Sequence, residues 1–302
     1  MLPKIICSSV IRAAQRGNSH GGIYKVDCET SEYDLLLDWN RPDIDWDGRG
    51  GDRGARGMTF YNGLLYAAAG DELFVFNKNM QIVKSFRNCN LKHTHEIWRD
   101  GRLLYIIANM FDTILVFDLE KDGWIDSWHF QTGKPVKYNP NKTTLLPTDK
   151  LHLDAVWVNK ELMYYCGAHM KTLNVVNLIT GEELVYQDNI IHTHNARPYK
   201  EGVIHNLAFG HKTVWKNIFG EVKEEWLTPL YKKEEMTYTD LPHDHAVQGY
   251  TRGMVIYNDY IIVGNSPATI NIFVAGKGES VKSIQLSNDI RNSICGIALY
   301  EW

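Results

Sequence analysis

Residues 56 to 86, RGMTFYNGLLYAAAGDELFVFNKNMQIVKSF, alternate short apolar runs with turn residues in a fixed order. One run leads to a tight Asn-containing turn, a second run follows, a short polar loop intervenes, and two further runs complete the unit. Runs this short, bounded by Asn, Gly and Asp, predict strands joined by tight turns rather than helices. The same order returns at 252 to 284 in RGMVIYNDYIIVGNSPATINIFVAGKGESVKSI, so each unit reads as four antiparallel strands. Three more copies begin at HEIWRDGRLLYIIANM from 95, HLDAVWVNKELMYYCG from 152 and HNARPYKEGVIHNLAF from 194. A sixth is divided between the ends of the chain. CGIALYEW, 295 to 302, matches a first strand, and KIICSSVI, GGIYKVDCE and YDLLLDW near the N-terminus supply the other three.

Six four-stranded units, one completed by both ends of the chain, predict an all-β fold, a six-bladed β-propeller forming a single domain over 1 to 302. A closed ring of sheets also removes the exposed edges that an open sheet would carry. The length alone would allow two domains, but closed all-β folds of this size are common.

Aligning the units on their first hairpins brings one position of every first strand into register around the ring. Its occupants are Arg56, His95, His152, His194, Arg252 and Cys295. The third requires a hairpin two residues longer than its neighbours; otherwise Asp154 takes that place. The next inward positions, Met58, Ile97, Asp154, Ala196, Met254 and Ile297, are mostly apolar. A channel polar at one mouth and apolar beneath is therefore expected. His-x-His recurs at HTH (93 to 95), HTH (192 to 194) and HDH (243 to 245), and His20, His169 and His211 fall in equivalent loops between second and third strands. Only His129 and His205 of the twelve histidines map elsewhere.

Three imidazoles converging from one side of a ring suit a divalent metal with open coordination positions, so His95, His152 and His194 are the expected ligands. Zinc fits a four-coordinate site, whereas Fe(II) or Mn(II) fits an octahedral one. Arg56 and Arg252 present guanidinium forks suited to carboxylate, sulfate or phosphate, and predict a small anionic substrate. Loop acids such as Asp45, Asp47 and Asp52 are the alternative partners of these arginines. Asp154, His169 and His211 are the candidate acid and base groups. Two long connections, 131 to 150 and 231 to 250, carry Tyr138, Tyr231, Tyr238 and Tyr250 and suggest lids over the mouth.

Composition narrows the field. With 32 Lys and Arg against 36 Asp and Glu the formal charge is -4, which argues against nucleic acid as a partner. No apolar run approaches the length of a membrane span, and the N-terminal stretch lacks a signal-peptide core, so a cytoplasmic, soluble protein is expected. Five cysteines without CxxC spacing, at 7, 28, 89, 166 and 295, read as free thiols.

The repeat pattern resembles the six-bladed propellers of the gluconolactonase, strictosidine-synthase-like and NHL-repeat group, although its ring lacks the acidic and Asn ligands of gluconolactonases. The histidines and arginines of the mouth are similar in chemistry to β-propeller lyases of the oligogalacturonate and virginiamycin B types, which implies metal-assisted elimination. They also resemble those of arylsulfotransferases and, more distantly, the four-histidine iron site of the seven-bladed carotenoid oxygenases. The leading expectation is thus a metal-dependent lyase or hydrolase for a small anion. Fe(II)-dependent oxygen chemistry at the same histidines and a non-catalytic binding scaffold are the alternatives.

Overall fold

The computed structural model describes residues 1–15, 17–44, 54–130, 134–242 and 247–302. Six antiparallel sheets stand around one axis as the blades of a propeller. The inner strands of blades one to five are Ala55–Tyr61, Thr94–Asp100, Leu153–Asn159, Thr193–Pro198 and Arg252–Tyr257. Blade six takes its inner strand, Asn292–Leu299, from the C-terminus and its three outer strands, Lys4–Ile11, Gly22–Asp27 and Tyr33–Asp38, from the N-terminus. The divided blade read from the sequence is therefore present. Each inner strand contacts the inner strands of the blades on either side, and the last contacts the first, which closes the ring.

Closure explains the composition of the middle strands. A blade is covered on both faces, so alternate residues of one strand enter different cores. In blade one Leu65 and Ala67 pack toward blade six, while Tyr66 and Ala68 pack toward blade two. Near-continuous apolar runs such as LLYAAA and LLYIIA follow from that double burial. Each fully buried aliphatic or aromatic side chain contributes about 1.5 to 3 kcal/mol.

The two long connections are tied down across their described parts. Val136–Lys137 adds a fifth strand to the outer edge of blade two. Asp112 holds the following segment, accepting from the backbone N–H of Lys150 at 2.7 Å and of Leu151 at 3.1 Å. Tyr231 donates its backbone N–H to Gln248 at 2.6 Å, and Tyr238 lies under the Arg291 guanidinium. These contacts tie the described parts of both segments to the blades. Among the described residues no helix is long and apolar enough to cross a membrane.

Candidate functional site at the histidine mouth

Every inner strand carries a register irregularity at the same height. The shifts fall between Ala55 and Met58, Thr94 and Ile97, Leu153 and Ala155, His194 and Arg197, and Arg252 and Met254. In blade six the shift lies opposite Cys295. A bulge sets two residues against one and redirects side chains that strict alternation would point elsewhere. Here six bulges turn a ring of polar side chains toward the axis. The strands also approach one another closely: a Cβ on Gly296 would lie 2.1 Å from the Arg56 carbonyl oxygen, and one on Gly57 2.6 Å from the Ile97 nitrogen.

The observed ring is Arg56, His95, Asp154, His194, Arg252 and Cys295, with Glu96 and Asn195 entering from the bulges. One position differs from the leading sequence alignment. The third hairpin pairs Asn159 with Leu162, as Asp100 pairs with Leu103 and Tyr61 with Leu64, so it is no longer than its neighbours. Asp154 therefore holds the ring position assigned to His152. His152 sits just before the strand, where a positive φ of 49° swings it over the rim. Its ring still comes within 5.4 Å of the His95 ring, centroid to centroid.

The enclosed space is small, about 10 Å³, room for one water-sized particle. The His95 and His194 rings lie 5.9 Å apart and nearly parallel across it. His194 is the most engaged: its Nε2 lies 3.2 Å from the Tyr250 hydroxyl and accepts from Arg252 Nε at 3.2 Å. A guanidinium only donates, so this contact assigns the ring proton of His194 to Nδ1. That Nδ1 is 3.1 Å from Asp154 Oδ2, a contact that falls short of hydrogen-bond geometry. His152 has its own carboxylate, with Nδ1 at 2.9 Å from Asp149 Oδ1, and its Nε2 is 3.3 Å from Asn109 Nδ2.

Burial, reinforced by Arg56 and Arg252, holds His95 well below the usual imidazole range. Burial and then Arg252 do the same for His194. His152 is lowered chiefly by burial, with Asp149 opposing. Burial pushes the Asp154 carboxyl well above the usual range, and Glu96 adds to the push while Arg252 resists it. At neutral pH His95, His152 and His194 are therefore neutral, with Arg56 and Arg252 as the cations beside them.

The remaining candidates lie farther out. His169 is exposed, 5.3 Å from the His152 ring, with Nδ1 at 3.1 Å from the Lys150 carbonyl oxygen. His211 ends a short 3-10 turn at Ala208–Gly210 and packs beside Gly249, outside the ring. His243, His245, Asp45, Asp47 and Asp52 lie outside the described residues. Three participants escaped the sequence reading, Glu96, Asn195 and Arg12, while Tyr250, read there as part of a lid, reaches His194 directly. Arg12 and Arg252 flank the Tyr250 ring at 4.6 Å and 4.7 Å. Glu96 is half of a buried pair, accepting from Arg197 at 2.7 Å, Asn195 at 2.8 Å and the Val156 N–H at 3.1 Å.

Fold and ring together define the class: a six-bladed β-propeller with a histidine–arginine mouth. Its architecture is similar to that of a nidogen–laminin complex structure (TM-score 0.63, 9% identity, 98% of this chain and 97% of that chain covered). It is also similar to a protein of unknown function from Bacteroides caccae (TM-score 0.60, 10% identity, 99% and 100% covered). The computationally designed Ika8 protein is a third such structure (TM-score 0.54, 11% identity, 97% and 91% covered). Likeness at these identities concerns the fold alone. No protein-family model matches the chain, and no curated protein does.

Proposed function

We propose that the mouth is an active site for a small anionic substrate, processed by elimination or hydrolysis. The observation that carries this reading is the convergence of Arg56, Arg252, His95, His194 and Asp154 on one water-sized cavity. Arg252 gives the proposal its working part. At rest its Nε–H occupies the His194 Nε2 lone pair. A substrate oxyanion competes for the same guanidinium, since it can be held by two parallel N–H bonds where the imidazole nitrogen accepts one. Binding thus frees the His194 lone pair as it anchors the anion. The freed nitrogen accepts a proton from the substrate or from an attacking water, and the imidazolium so formed lies 3.1 Å from Asp154. Tyr250, with its hydroxyl 3.2 Å from the same nitrogen, is placed to return a proton to a leaving group.

A metal-dependent version is the second reading. Its support is the carboxylate-backed imidazole of His152, whose Nδ1 meets Asp149, an arrangement common behind metal ligands. His95, His152 and His194 would hold zinc, iron or manganese, which would supply Lewis-acid or redox chemistry. Against it, Arg252 occupies the Nε2 of His194, and among the described residues no three His, Cys, Asp or Glu side chains are arranged to hold a metal ion.

The test combines two measurements on the untagged protein. Thermal unfolding across a panel of small carboxylates, sulfates and phosphates should show at least one anion that stabilises; at a hundredfold excess over Kd the gain is about 2.7 kcal/mol. In Arg252→Ala the gain at the same anion concentration should fall to about 0.4 to 1.4 kcal/mol. No stabilisation by any anion would overturn the proposal. Elemental analysis separates the two versions, because near-stoichiometric transition metal that is lost in His95→Ala would establish the second.

A further inference from the structure

Beyond the ring the same inner strands open into a second, larger space at the opposite mouth. Its lining comes from residues 58 to 60, 96 to 99, 254 to 256 and 297 to 299, with Trp157, Arg197, Pro198 and Glu301, just past the bulges. The volume is about 330 Å³, within the range of small-molecule sites. Glu96 borders both spaces. With Arg197 and Asn195, which donate to it, Glu96 forms a polar partition between the two spaces.

The chemistry of this chamber differs from that of the ring. Its flank is aromatic: Trp98 and Trp157 stand 5.7 Å apart, centroid to centroid, inclined at 47°. Trp98 is locked by its own Nε1–H, which donates to the Val158 carbonyl at 2.9 Å, and Arg197 covers one of its faces at 5.2 Å. Met254, Ile256 and Ile297 supply apolar walls. The charged lining balances, with Arg99 and Arg197 against Glu96 and Glu301. A balanced lining gives no net attraction to an anion or a cation, while rigid indoles and thioether walls favour a flat, apolar partner.

We propose that this lower chamber is a second ligand site, selective for an uncharged planar aromatic molecule of one to three rings. The ligand lies against Trp98 and Trp157, with any hydroxyl or amine at its inner end meeting the Glu96 side of the partition. The site shares one residue with the ring and makes no use of the anion chemistry above it.

The probe is N-phenyl-1-naphthylamine, a neutral fluorescent aromatic amine, titrated into the whole protein with its emission as readout. Saturable binding of one equivalent is expected. Ile256→Trp fills the chamber from a half-buried position and should weaken binding at least tenfold; Trp157→Ala, which removes a wall instead, should weaken it as well. Unchanged thermal unfolding certifies that each variant is folded. His169→Ala, at the other mouth, should leave the affinity unchanged. Non-saturable binding, or equal affinity in both folded chamber variants, would overturn the site. Tighter binding of the sulfonated analogue 1-anilinonaphthalene-8-sulfonate would overturn its charge selectivity.

Discussion

The two ends of one channel are built from the same six strands, yet they have opposite chemistry. At the upper end, bulges aim Arg56, His95, Asp154, His194 and Arg252 at the axis, and the space left is about 10 Å³. At the lower end, regular pleating returns Met254 and Ile256 to the axis, and about 330 Å³ remains. The difference teaches that the bulge, more than the blade, makes the polar site. One inserted residue per strand changes which side chain faces inward, and the repeated scaffold gives six such insertions a common height.

Removing the partition breaks this comparison most severely. Glu96→Ala leaves Arg197, with a side chain only 7% exposed, without its carboxylate. Losing one member of a buried pair costs about 3 to 5 kcal/mol, so chemical denaturation should show that loss. Arg252→Ala sharpens the upper end alone. A hydrogen bond to a charged group is worth about 1.5 to 3 kcal/mol, so calorimetry should show anion affinity falling by roughly ten- to a hundredfold, with global stability less affected.

A buried histidine outside both chambers separates burial from site chemistry. His205 lies in the second strand of blade four with neither ring nitrogen hydrogen-bonded, and burial pushes it down to about 3. Its unfolded value is near 6.5. The folded state binds the proton less readily than the unfolded chain, so its contribution is present above about pH 6.5 and is lost as pH falls toward 3. His205→Phe should flatten the acid side of the stability profile. His95 and His194 carry the same sign, because both are lowered. Asp154 carries the opposite one: its raised carboxyl destabilises as rising pH forces it to ionise. The smallest effect is expected at exposed His169, where Ala should change stability by no more than about 0.5 kcal/mol.

The repeat was legible because each blade needs the same four strands and the same turns. The divided blade was legible too, since CGIALYEW lacks partners that only the N-terminal strands supply. Five of the six ring residues followed from counting back from each hairpin. The sixth did not, because the third hairpin is no longer than its neighbours and Asp154, not His152, holds that position. Glu96 was hidden for another reason: two-residue alternation points it away from the axis, and only the bulge brings it in. Tyr250 reaches His194, and Arg12 reaches the Tyr250 ring, from loops whose paths no strand periodicity describes.

The most direct test is a histidine nitrogen NMR titration of the protein labelled with 15N-histidine, with and without saturating sulfate, His194 being assigned by its loss in His194→Gln. The mechanism predicts that free His194 stays neutral to well below pH 6.5, the usual midpoint, with its proton on Nδ1, and that sulfate raises its midpoint as Arg252 turns to the anion. In Arg252→Ala the midpoint should be raised already and should no longer respond to sulfate. An unmoved midpoint in the wild-type protein, or an unchanged sulfate response in the variant, would contradict the coupling of anion binding to the base.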